Sequence, residues 1–207
     1  MNKNLNVQHL VQLAMLIAIQ IVMKAIGLGS VPVGPLYMSF LTIPIAVGAI
    51  LIGPAAGAVL GGVFGLVSFW DAVTGASVMT GTFFQISPVK TFVLCVLTRV
   101  LMGFCTGLLF KALNHFGRYS SWKYLVGSIA APVLNTFFFM GYIILAFYQT
   151  SYIQELVAAK GASNAFMFVI LLVGVQGLVE AIACGIVGTI VCKALSSTIF
   201  RMSGATA

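Results

Sequence analysis

The stretch IPIAVGAILIGPAAGAVLGGVFGLVSFWDAV, residues 43–73, carries no charge before Asp71 and is interrupted only by Gly53-Pro54. A membrane-crossing helix takes about 20 mostly apolar residues. One apolar run of this length therefore reads as two helices. Proline favours the first turn of a helix and glycine the position just past the end of one, so Gly53-Pro54 suits a tight turn between antiparallel spans. The whole chain extends this pattern: 61% of its 207 residues are hydrophobic and 6% are charged, against roughly 25% charged in soluble domains. Mean hydropathy is +1.14. A soluble fold would have almost no ionic groups for its surface, which leaves an integral membrane protein.

The same ruler gives six spans, at about 8–27, 37–53, 55–74, 90–113, 122–148 and 164–195. The expected fold is an all-α, six-transmembrane-helix bundle, a single membrane domain over 1–207. The first span resembles a secretory signal, but no small-residue cleavage site follows it, and it reads as a retained helix. Lys3, Lys111, Arg118, Lys123, Lys193 and Arg201 lie at the termini and in the 111–123 connection. The connections 28–36 and 75–88 hold no Lys or Arg. The positive-inside rule then places both termini in the cytoplasm. GLGSVPVGP (27–35) and TGASVMTGTFFQISP (74–88) become long outer loops, suited to covering an outward-facing cavity.

The net charge of +7 reports this orientation, and no basic run points to nucleic acid. Cys95, Cys105, Cys184 and Cys192 sit in apolar segments without CxxC or Cys/His spacing and read as small hydrophobes. There is no phosphate-binding G-x-x-x-x-G-K-[ST], no H-E-x-x-H and no G-x-S-x-G. His9 and His115 fall at span borders, where interfacial roles are expected. No catalytic set, metal site or cofactor site emerges.

What remains is a few polar groups at membrane depth, where an ionised side chain costs at least about 2.5–3.5 kcal/mol on insertion scales. Arg99 lies in the fourth span, Asn135 in the fifth, and Gln176 and Glu180 in the sixth, four residues apart and so on one helix face. Two readings stand side by side: Arg99 and Glu180 as a neutralising pair tying two helices, or all four lining a solute pocket that opens outward. Asp71 and Trp70 end the third span, and Tyr37 follows the first outer loop. Each suits either the interfacial aromatic belt region or the rim of that pocket. Glycines 53, 57, 61 and 65 form an i, i+4 ridge that lets another helix approach to backbone contact, with Gly103 and Gly107 a shorter second case. Ala14 and Ala18 form a weak small-xxx-small pair in the first span.

Together, LAMLIAI in the first span, the 43–69 run, SPVKTFVLCVLTRVLMGFCTGLLFKAL in the fourth, APVLNTFFFMGYI in the fifth and GLVEAIACGIVG in the sixth resemble the substrate-binding S component of energy-coupling factor (ECF) vitamin transporters. The resemblance covers nearly the whole chain. It implies a multi-pass protein of a prokaryotic plasma membrane that binds a vitamin from outside. It further implies docking on a transmembrane T component with two cytoplasmic ATPases, and delivery by toppling in the membrane. ATP hydrolysis would then occur on partner chains, and this chain would be no enzyme. Ala14 and Ala18 map onto the family's docking surface for the T component. The Gly-Pro turn and GLVSF look most similar to the pantothenate-type members. Arg99 could hold that ligand's carboxylate, with Asn135 and Gln176 for its amide and hydroxyls. Folate, riboflavin, cobalamin or a queuosine precursor are the alternative ligands. A self-sufficient secondary carrier, the rival class, would call for an inverted repeat or a chain of titratable groups, and the sequence offers neither.

Overall fold

A computed structural model describes residues 3–29, 31–33, 36–116 and 122–204. Five helices are long and apolar enough to cross a membrane, with candidate spans Val7–Ala25, Pro54–Val73, Pro88–His115, Trp122–Phe147 and Ala165–Ser196. They belong to α1 (Lys3–Ala25), α3 (Pro54–Val73), the run from α5 (Pro88–Phe92) through a π turn (Val93–Leu97) into α6 (Thr98–Phe116), α7 (Trp122–Phe147) and α9 (Ala165–Gly204). Arg118 lies outside the described residues.

The expected second span is altered. Its first residues form a strand, β2 (Leu36–Met38), antiparallel to β1 (Val31–Val33) with Val31 opposite Met38, a short hairpin in an otherwise helical fold. The helix that follows, α2, runs only Thr42–Leu51. At 1.5 Å per residue its ten residues reach about 15 Å, half of the roughly 30 Å hydrocarbon core. Thr42 and every residue from Pro44 to Ile50 are buried. α2 packs against α1, α3, α6, α7 and α9. Its apolar character thus reflects burial by protein on all sides, which hydropathy cannot distinguish from burial in lipid.

Two short helices stand where the sequence read as connection. α4 (Val78–Ile86) buries Met79, Thr80 and Phe83, and α8 (Ser151–Lys160) buries Ile153. Phe83 stacks on Phe147 at 4.3 Å between ring centroids. With Leu94, Phe139, Met140, Ile143, Ile153 and Phe168 they form one apolar cluster. A second gathers Leu41, Ile45, Leu60, Phe64, Met102, Ala131 and Cys184.

The glycine ridge packs α3 onto α6. A Cβ on Gly57 would stand 2.3 Å from the Gly103 carbonyl oxygen, and one on Gly61 would stand 2.1 Å from that of Arg99. Gly103 meets Gly57 in return, and Gly107 meets Pro54, so the two glycine series are the two sides of one interface. Gly53 is not part of it. It precedes Pro54 with φ +127 and no neighbour at its would-be Cβ, a backbone conformation that favours glycine at the tight turn.

Candidate functional site

Between the two apolar clusters, at the Asp71 end of the bundle, lies a cavity of about 70 Å3. α3 supplies Phe64, Ser68 and Asp71, the fourth span Arg99, α7 Asn135 and Thr136, α9 Gln176 and Glu180, and α4 Thr80. Five helices that bring one or two polar residues each to a common point make a polar spot inside an apolar bundle. Asn135, Gln176, Glu180, Arg99 and Asp71, singled out by their chemistry in apolar segments, are all on its wall.

Arg99 is held from three directions. Its guanidinium carbon lies 4.6 Å from the Phe64 ring centroid and 4.5 Å from that of Phe139, a contact worth about 0.5–2 kcal/mol per ring. One Nη donates to the Leu94 and Cys95 carbonyls, each at 3.2 Å. Both carbonyls belong to the π turn, a type of bulge frequent at functional sites. The glycine interface sets the depth of the whole assembly, since Gly61 abuts the Arg99 backbone while Phe64, one turn on, covers its side chain.

No carboxylate among the described residues lies within 4.0 Å of the Arg99 guanidinium. The Arg99–Glu180 pair, one of the two readings the sequence leaves open, is therefore absent as a direct contact. Glu180 Oε1 instead accepts from the backbone N–H of Ser39 and from Gln176 Nε2 at 3.5 Å. That ties the segment after β2 across the cavity to α9. Ser39 is anchored in turn by its hydroxyl, which donates to the Gly29 carbonyl at 3.1 Å. Asp71 is paired with Lys24 of α1, Nζ to Oδ2 2.5 Å. Arg99 Nε, Asn135 Oδ1 and Thr80 Oγ1 are buried on the cavity wall without a hydrogen-bond partner among the described residues. Unpartnered buried polar atoms are costly, and three converging on one cavity form a ready set of contacts for a polar ligand.

Trp70 is 68% exposed and does not line the cavity. One residue is a 100° step around a helix, which separates it from its neighbour Asp71. The side chain of Tyr37 lies outside what is described, and only its backbone in β2 is placed. Ala14 and Ala18 are exposed on α1, among Leu10, Val11, Met15 and Ile19. Ser39, Ser68, Thr80 and Thr136 were missed because hydroxyl residues are unremarkable in apolar helices, where they bond to their own backbone. Lys24 was also missed. Its signal was available: a cation near the end of the first span at the level of the carboxylate ending the third.

A family model for the substrate-specific component of ECF transporters matches residues 8–192. The chain belongs to this family. Among curated proteins, none matches it. Among solved structures, ThiT from Listeria monocytogenes is similar to this substrate-specific component with a TM-score of 0.61 and 22% identity, over 93% of this chain and 96% of that one. At that identity the likeness speaks for the fold. Membership makes the chain a membrane-embedded, substrate-specific transport component.

Proposed function

We propose that this substrate-specific component binds pantothenate from the outer side of the membrane, in the cavity around Arg99. The observation that carries the reading is a buried guanidinium, sandwiched between Phe64 and Phe139, with an unpartnered Nε and no carboxylate in contact among the described residues. A cation so placed is incomplete without an anion. A ligand carboxylate would supply one in charge-assisted geometry, while Asn135 and Thr80 offer unpartnered oxygens to amide or hydroxyl groups. Two of the connections at this end of the bundle, 28–36 and 75–88, lack Lys and Arg, and in the third Lys160 is offset by Glu155, in keeping with the outer side.

The cavity's 70 Å3 is far below the roughly 300–1,000 Å3 of small-molecule sites. Ligand entry therefore requires its cover to move. The cover consists of the segment carrying Ser39 and the helix α4, which reach the cavity from outside the long helices.

Delivery would follow the family's scheme: docking on a T component and two ATPases through the exposed Ala14–Ala18 face, then toppling, with ATP hydrolysed on the partner chains. Bulky residues at both alanines should leave vitamin binding intact and stop uptake in cells supplying the partners. Normal uptake by that variant would refute the docking face.

The substrate reading is tested by purifying the chain alone in detergent and titrating labelled vitamins. Saturable binding of pantothenate is the expected result. A different vitamin bound in its place, such as folate, riboflavin, cobalamin or a queuosine precursor, would overturn the substrate and leave the class standing. Uptake in proteoliposomes holding this chain alone would favour a self-sufficient carrier.

A further inference from the structure

Asp71 is the second carboxylate on the cavity wall, and it is satisfied from outside the cavity. Lys24 reaches it from the last turn of α1, with both side chains partly buried, at 29% and 16% exposure. Lys24 itself does not line the cavity. A second polar tie of α1 to the bundle lies one turn earlier. The amide of Gln20 donates to the Leu60 carbonyl at 3.3 Å, and little of the helix is buried. Asp71 and Glu180 both lie within electrostatic reach of Arg99. With all four groups ionised, Arg99 and Lys24 balance Glu180 and Asp71 at the cavity. Without Lys24 the cavity would hold one cation and two carboxylates, and a carboxylate ligand would enter against a net negative charge.

We propose that Lys24 is a specificity-determining residue: by neutralising Asp71 from behind the cavity wall, it lets the Arg99 cavity accept an anionic ligand. Lys24 acts through Asp71 and need not touch the ligand. The inference rests on the reading of Arg99 as the carboxylate site. Two unit charges on the order of 10 Å apart at an effective dielectric constant of about 20 change an affinity roughly tenfold, which sets the size of the effect to be sought.

The test compares pantothenate with its neutral alcohol analogue pantothenol, on purified full-length chain, by titration calorimetry. The wild type should prefer pantothenate. Lys24→Met should weaken pantothenate about tenfold and leave pantothenol unchanged, a result that also shows the variant is folded. Lys24→Arg should keep the wild-type preference, and the double variant Lys24→Met/Asp71→Asn should regain most of it. Equal loss of both ligands in Lys24→Met, with no recovery in the double variant, would make the pair a mechanical tie of α1 and overturn the proposal. So would unchanged pantothenate affinity in Lys24→Met. A wild type that does not distinguish the two ligands would refute the Arg99 reading, and this inference with it, whereas preference retained by Lys24→Met refutes this inference alone.

Discussion

The glycines of the α3–α6 interface and three on the groove-lining stretches of α7 and α9, Gly141, Gly174 and Gly177, look alike in the sequence and differ in the structure. At Gly57, Gly61 and Gly103 an added Cβ would fall 2.0–2.3 Å from a backbone carbonyl of the opposite helix. At Gly141 it would meet nothing within 4 Å, at Gly174 only its own helix's Ile170 at 3.8 Å, and at Gly177 the Thr136 hydroxyl at 3.7 Å. The first set lets two helices meet backbone to backbone and thereby fixes Arg99 against Phe64. The second set borders an apolar groove of about 770 Å3 between α7 and α9, which shares Thr136, Met140 and Val173 with the polar cavity. One wall of the site is therefore close-packed, and the opposite wall is a single layer of side chains with open space behind it. A site of 70 Å3 that must enlarge for a ligand has its room for adjustment on the α7–α9 side, while its cation stays in place.

The contrast can be broken most severely at Gly61. Gly61→Leu forces a side chain into the Arg99 backbone, and a loss of more than about 3 kcal/mol is expected. It would be read as a collapse of the thermal transition in detergent together with loss of vitamin binding. Gly57→Ala should cost less, about 1–3 kcal/mol, because one methyl group must be accommodated against Gly103. At the other extreme, Gly141→Ala should be neutral or stabilising by up to roughly 1 kcal/mol, since alanine is the better helix former and meets nothing here. A Gly141→Ala variant as unstable as Gly57→Ala would show that the groove stretch between α7 and α9 is packed after all.

The parts of this fold that a sequence can show are those whose chemistry is unusual for their surroundings. Arg99, Asn135, Gln176 and Glu180 stood out because polar groups at membrane depth are expensive, and the structure gathers them around one cavity. Trp70 was drawn in by adjacency to Asp71, which along a helix is no guide to shared facing. The second span was misjudged because α2 is apolar on every side, a property shared by lipid-facing and protein-buried helices. The π turn at Val93–Leu97 left no trace, because an apolar segment has no polar face whose phase could reveal the extra residue. Pairing was the hardest to foresee: Arg99 and Glu180 suggested a mutual ion pair, while the structure gives Glu180 to Ser39 and Asp71 to Lys24. Those partners lie on the first helix and the hairpin segment, and their positions depend on tertiary packing.

The central claim is that Arg99 is the anion-holding group of a vitamin site. Its most direct test is the affinity of the purified chain for labelled pantothenate with Arg99 intact and with Arg99→Ala, scored alongside the thermal transition of both proteins. The account predicts saturable binding by the wild type, a loss of at least about 100-fold in the variant, consistent with removal of a charge-assisted bidentate contact, and a variant that remains folded. Unchanged affinity in a folded Arg99→Ala protein would contradict it and return Arg99 to a structural role between its two phenylalanines.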